Sequence, residues 1–137
     1  MQYKDKNNQT AGIYIHIPFC KVKCIYCDFY SITDREYQIE KFTEMLCREI
    51  SQFSEINEFP FVIDSLFFGG GTPSLLEPKH LETILITLSD NYILEYLDEV
   101  TLEANPGEAS FNKLKSFRDL GINRLSMGFQ SLQPDLL

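Results

Sequence analysis

The feature that most constrains this chain is an alternation of four short apolar runs with three helical patterns. The runs are Ile13–Ile17, Val62–Phe68, Glu99–Glu103 and Arg124–Gln130. They are rich in β-branched and aromatic residues and each meets cysteine, glycine or proline punctuation or a polar stop, so they read as strands. In the first, Ile13, Ile15 and Ile17 fall on one face, with Tyr14 and His16 on the other. Thr33-Asp-Arg-Glu36 predicts a capping box opening a helix that runs to about Ile56. Pro78 suits a first helical turn, followed by a stripe of Leu81, Ile84, Leu85 and Leu88 in a helix expected over 78–97. Ser110 predicts an N-cap for a third helix carrying Phe111, Leu114 and Phe117, with Gly121 at its stop.

The order β-α-β-α-β-α-β predicts an α/β fold, a parallel sheet with helices outside it. In such sheets chemistry collects at the carboxyl ends of the strands. Each segment that looks unlike packing falls there: a cysteine loop, the run Gly69-Gly70-Gly71-Thr72-Pro73, the turn after Glu103 and the end at Gln130. Four parallel strands do not close a barrel, and whole barrels need upward of roughly 200 residues. The 137 residues therefore read as the N-terminal part of a longer protein. Residues 1–10 are expected to form a flexible N-terminal tail, and 11–137 a single incomplete core domain.

A formal charge of −8 argues against nucleic acid or an anionic membrane surface as partner, since both reward clustered Lys and Arg. The first ten residues contain no apolar run, so neither a signal peptide nor a membrane span is expected there, and a cytoplasmic location follows. In a reducing cytosol, closely spaced thiols more often mean metal or redox chemistry than disulfides.

Cys20, Cys24 and Cys27 lie within eight residues, spaced three and then two apart. A structural zinc site takes four protein ligands, and an ordinary 4Fe-4S cluster takes four thiolates, one per iron. Three thiolates leave one iron open to a small ligand. A zinc site completed by His16, or a redox thiol loop, are the alternatives, and neither accounts for the glycine run one strand later. His16 otherwise reads as a hydrogen-bonded structural histidine. Phe29 and Tyr30, directly after the last cysteine, read either as a shield of the loop from water or simply as core residues. Cys47 reads as a small core residue of the first helix, and His80 as a surface residue.

Glycine lets a backbone approach a ligand closely, and main-chain groups at a strand end bind small charged groups. The triple glycine is also consistent with a merely tight turn. Glu103, ending an otherwise apolar strand, is expected to point into the mouth of the sheet and accept hydrogen bonds from hydroxyl or ammonium groups, the alternative being a solvated surface charge. Gln130 holds the equivalent place on the next strand.

Taken in order, IYIHIPFCKVKCIYCDFYS, FFGGGTPS, LEANPGE and GINRLSMGFQSL resemble the radical SAM superfamily. More narrowly, they resemble its oxygen-independent coproporphyrinogen III oxidase-like branch, which includes the HemN oxidases and the HemW heme chaperones. The resemblance covers residues 13–137. It implies the N-terminal part of a partial (β/α)6 barrel, a 4Fe-4S cluster on Cys20, Cys24 and Cys27, and S-adenosylmethionine on the fourth iron through its amino and carboxylate groups. Tyr14 and Tyr26 would contact that cofactor, Tyr26 packing on its adenine. Gly70, Gly71 and Thr72 would hold its methionine moiety, and Glu103 and Gln130 would add polar contacts. An electron from a donor protein would cleave the sulfonium carbon–sulfur bond, giving methionine and a 5′-deoxyadenosyl radical. HemN-type oxidases carry a further cysteine two residues after the third. Here Phe29 stands at that position, the HemW-like pattern, which implies heme trafficking, with heme or a porphyrin as ligand of the full-length parent, over porphyrinogen oxidation. A third expectation is that the 137-residue species is an inactive cluster-binding fragment, since an arginine and an aspartate of the family's cofactor site fall beyond residue 137.

Overall fold

A computed structural model of the chain describes residues 10–56, 62–133 and 135. The predicted N-terminal tail lies, but for Thr10, outside the described residues. β1 (Thr10–Ile17), β2 (Val62–Gly70), β3 (Glu99–Ala104) and β4 (Arg124–Met127) pair in that order, all parallel. α1 (Ile39–Ile56), α2 (Pro78–Asn91) and α3 (Phe111–Asp119) form the crossovers. This is the expected α/β architecture with a parallel sheet. Among the described residues, no helix is long and apolar enough to cross a membrane.

The period-2 alternation of β1 is realised: Ile15 and Ile17 are buried, Ile13 partly so, while Tyr14 and His16 share the opposite face. Leu66 and Phe68 of β2 and Val100 and Leu102 of β3 continue the apolar face. Leu81, Ile84 and Leu88 of α2 and Phe117 of α3 cover it, all with no exposed surface. Phe111, expected in the same stripe, is 80% exposed. Cys47 is partly buried against this core.

Several boundaries differ from expectation for identifiable reasons. β1 begins three residues earlier than its isoleucines, because Thr10 pairs with Val62 and Ala11 with Ile63. No capping box forms at Thr33–Glu36; Asp34 takes a left-handed φ of 57°, a 3-10 turn spans Glu36–Gln38, and the α-helix starts only at Ile39. α2 ends at Asn91 rather than 97: Asn91 Nδ2 donates back to the Thr87 carbonyl at 2.7 Å, and Tyr92 is already extended. β4 stops at Met127, where Phe129 N–H turns back to the Met127 carbonyl at 3.0 Å.

His80 is the clearest correction. It is 8% exposed, not a surface residue. Its Nδ1 accepts the Glu77 N–H at 3.1 Å, so the proton sits on Nε2, which donates to Glu40 Oε2 at 2.9 Å and ties α2 to α1. By contrast, the third helix begins as expected, with Ser110 Oγ accepting the Lys113 N–H at 3.3 Å, and stops at Gly121 with φ +110°.

Candidate cofactor site at the strand ends

Proline 18 ends β1 because it has no N–H to extend the ladder. The chain then leaves as a loop whose base is tied shut. Ile32 N–H donates to the Pro18 carbonyl at 2.8 Å and Cys20 N–H to the Ile32 carbonyl at 2.9 Å. Phe19, 2% exposed, plugs into the core edge-to-face with Phe42, ring centroids 5.3 Å apart. His16 clamps the far side: Nε2 donates to the Tyr30 carbonyl at 2.9 Å, and Nδ1 accepts the Tyr14 hydroxyl at 3.1 Å. Both ring nitrogens are thus engaged. The structural reading of His16 holds, and a ligand role would require breaking one of these bonds.

Within the loop, Cys27 N–H donates to the Cys24 carbonyl at 3.1 Å, closing a turn between the second and third cysteines. Cys20 is buried, Cys24 exposed and Cys27 intermediate, and all are free thiols. A hydrogen bond with Cys24 raises the Tyr26 phenol above its ordinary pKa, with the Cys24 charge, burial and the Cys27 charge adding to the rise. Val22, Ile25 and Tyr26 form an exposed apolar tip.

The glycine run fits under this loop. A Cβ on Gly71 would stand 2.6 Å from the Phe19 carbonyl oxygen and 3.0 Å from Cys20 Sγ. On Gly70 it would stand 2.6 Å from the His16 ring, and on Gly69 2.9 Å from the Tyr14 ring. The three glycines are therefore a close approach between β2 and the β1–loop segment, and a merely tight turn does not account for them. The N–H groups here are already used. Gly70 donates to Glu103 Oε2 at 3.0 Å, Gly71 to the Ile17 carbonyl at 2.8 Å and Thr72 to the Phe19 carbonyl at 2.7 Å. What stands beside the segment in the depression is the Glu103 carboxylate, an acceptor suited to an ammonium or hydroxyl donor.

These parts enclose a depression of about 270 Å³ at the carboxyl ends of the strands. Its lining includes Cys20, Cys24, Cys27, Tyr26, Gly70, Gly71, Thr72, Glu103 and Gln130, nine of the ten residues expected at the site. Tyr14 is the exception. It stands on the same face of β1 as His16, 54% exposed and stacked on Phe67 at 5.9 Å, and partial burial and then the Glu103 charge raise its pKa. Phe29 also lines the depression, but Tyr30 does not; its ring faces His16 at 6.1 Å. A larger groove, about 810 Å³, follows β1 and α1 between side chains such as Phe42, Met45 and Ile50 and contains none of the three loop cysteines.

Asn105 and Ser31, which the motifs did not single out, line the depression as well. Asn105 sits inside LEANPGE, so the motif contained it, but its partner Thr72 is 33 residues away. Ser31 is 8% exposed and its hydroxyl has no hydrogen-bond partner among the described residues.

Do these residues fit a cluster? Among the described residues, no three His, Cys, Asp or Glu side chains converge on one point, as a single ion requires. A cubane cluster does not require that, because each thiolate takes a different iron. Three free thiols on one loop, an orphan hydroxyl beside them and a cradle kept clear of Cβ atoms suit a group larger than a single ion.

The parallel sheet, with the thiol loop and the glycine cradle at its strand ends, defines an α/β protein with a candidate cofactor site, and sequence comparison gives the family. The Radical SAM superfamily profile matches residues 14–137, and the chain belongs to that superfamily. It is 41% identical over 127 residues to the mitochondrial radical S-adenosyl methionine domain-containing protein 1 of Danio rerio, covering 93% of this chain and 28% of that protein. It is 39% identical over 124 residues to the heme chaperone HemW of Lactococcus lactis, covering 90% of this chain and 31% of the relative. Coproporphyrinogen III oxidase (HemN) from Escherichia coli, a radical SAM enzyme, has the same fold: TM-score 0.84, 27% identity, 94% of this chain and 30% of that one. The chain thus spans about three-tenths of the length of these relatives.

Proposed function

We propose that residues 11–137 are the first part of a radical SAM core that binds a 4Fe-4S cluster on Cys20, Cys24 and Cys27, with S-adenosylmethionine beside it, in a HemW-like protein that handles heme. The observation that carries this reading is the meeting of three free thiols with a ligand cradle in one depression. When bound, the two groups supply one-electron chemistry, the reductive opening of a sulfonium carbon–sulfur bond. The chain's own work is placement. The pinned loop presents the thiols, Glu103 offers an acceptor to the cofactor's amino group, Gln130 adds a polar contact, and Tyr26 and Phe29 cover the thiols from the solvent side. Tyr14 acts through its hydrogen bond to His16.

Heme handling is favoured over porphyrinogen oxidation by Phe29 at the position where HemN-type oxidases carry a cysteine, and by the 39% identity to a protein named heme chaperone HemW. The structural likeness to HemN keeps the oxidase as the second reading. A cytoplasmic location, an electron-donor protein and heme as ligand of the longer parent belong to the same proposal.

Electron paramagnetic resonance of the anaerobically reconstituted, dithionite-reduced chain tests it, with and without S-adenosylmethionine. A reduced cluster signal that changes on adding the cofactor is expected. A cluster signal indifferent to it would remove the cofactor half of the proposal. Absence of any cluster with all three cysteines intact would overturn it.

A further inference from the structure

Thr72 is 2% exposed, and its backbone is held by the Phe19 carbonyl irrespective of what its side chain does. The hydroxyl donates to Cys20 Sγ at 3.6 Å and accepts from Asn105 Nδ2 at 3.2 Å. The amide orientation of Asn105 is set from outside: the same nitrogen donates to Glu108 Oε2 at 3.0 Å, and an ionised carboxylate only accepts. Glu108 N–H in turn donates to the Asn105 carbonyl at 3.2 Å, closing the turn. With an N–H on the threonine oxygen, the hydroxyl hydrogen is left for the sulfur. The donors run one way, from Asn105 through Thr72 to Cys20.

Hydrogen bonds to the sulfurs are one of the means by which a protein sets a cluster's reduction potential. Added negative charge is spread over the sulfurs on reduction, so a donor aimed at one of them favours the reduced state. A hydroxyl polarised by a second donor is a better donor itself. We infer that Asn105 and Thr72 form a hydrogen-bond relay onto Cys20 that raises the reduction potential of the cluster. This rests on the cluster reading proposed above and gives Asn105 a positioning role that works through Thr72.

The test is a dye-mediated redox titration, followed by electron paramagnetic resonance, of the whole reconstituted chain without S-adenosylmethionine. Wild type, Thr72→Val, Thr72→Ser and Asn105→Ala are compared at matched iron and sulfide content. Thr72→Val is expected to shift the reduction equilibrium about tenfold toward the oxidised form, ~59 mV for one electron. Thr72→Ser, which restores a hydroxyl, should return most of that shift, and Asn105→Ala should move the potential the same way by less. Thr72→Val with a full cluster and an unchanged potential would overturn the relay. Should Thr72→Val fail to hold a cluster, Asn105→Ala decides, since Asn105 is exposed; an unchanged potential there overturns the relay equally. A wild-type chain that holds no cluster would overturn the reading beneath it, and that is known before any variant is measured.

Discussion

Glu103 Oε2 accepts the Gly70 N–H at 3.0 Å, so a side chain from the end of β3 secures the backbone at the end of β2. Gly70 has φ +114°, and the pairing of β2 with β3 runs only to Phe68 and Leu102, so the Gly70 N–H takes a side-chain partner from β3. Hydrogen bonds to charged groups contribute about 1.5–3 kcal/mol when well shielded, and Glu103 is only half-buried. Glu103→Ala is therefore expected to lose about 1 kcal/mol in urea unfolding. Glu103→Gln, which keeps an acceptor oxygen, should lose less than half as much. Equal losses for the two variants would mean that charge, rather than the bond to Gly70, is what matters.

Phe111 and Phe117 occupy similar places in the sequence pattern but opposite ones in the fold, at 80% and 0% exposure. Phe117→Ala is expected to destabilise by about 3–5 kcal/mol, the range for emptying a buried aromatic site. Phe111→Ala should stay within about 0.5 kcal/mol, as surface changes do. Thermal or chemical melts of both variants check the pair.

Much of the fold was legible because its signals are local. Ile13, Ile15 and Ile17 announce a strand by period, the α2 stripe announces its buried face, and Ser110 and Gly121 bracket α3. Misreadings came where a distant partner decides. Thr33–Glu36 has the composition of a capping box, but Ile32 is held by its pairing with Phe19, and Asp34 turns left-handed before a helix can begin. His80 looks solvent-facing until Glu40 is brought to it across 40 residues. The site shows the same division. The cysteines and glycines are contiguous motifs, whereas the contact of Thr72 with Cys20 spans 52 residues and no spacing rule points to it.

Glu40 accepts from two side chains of α2, the Lys79 ammonium at 2.6 Å and His80 Nε2–H at 2.9 Å. The hydrogen bond from Lys79, then that from His80, holds its carboxyl below the usual 4.5. A depressed carboxyl pKa stabilises the folded state at pH values above the unfolded one and loses that contribution as pH falls through the folded value. Glu40→Gln should therefore melt below wild type near neutral pH, with the two curves converging as pH falls below the usual carboxylate range and through the lowered folded value. Because Glu40 is solvent-exposed, added salt should narrow the gap as well. A difference that widens in acid would contradict the ion-pair account.

Gly70 and Gly121 allow the steric role of the glycine cradle to be separated from its backbone role. Their φ values are nearly equal, +114° and +110°. A Cβ at Gly121 would meet nothing within 4 Å, whereas at Gly70 it would lie 2.6 Å from His16 Cε1 and 2.7 Å from Nδ1. Alanine at either site carries the strain of a positive φ, of order 1–3 kcal/mol. At Gly70 it must also push back a ring held by Tyr14 on one side and by the Tyr30 carbonyl on the other. Overpacking of that kind adds about 1–3 kcal/mol. Gly70→Ala should thus be the more damaging by about that amount in urea unfolding. It should also loosen the cysteine loop, since displacing His16 releases its bond to Tyr30; faster amide exchange over residues 20–31 would report it. Equal effects of the two alanines would mean that His16 gives way freely and that Gly70 is needed for its backbone angle alone.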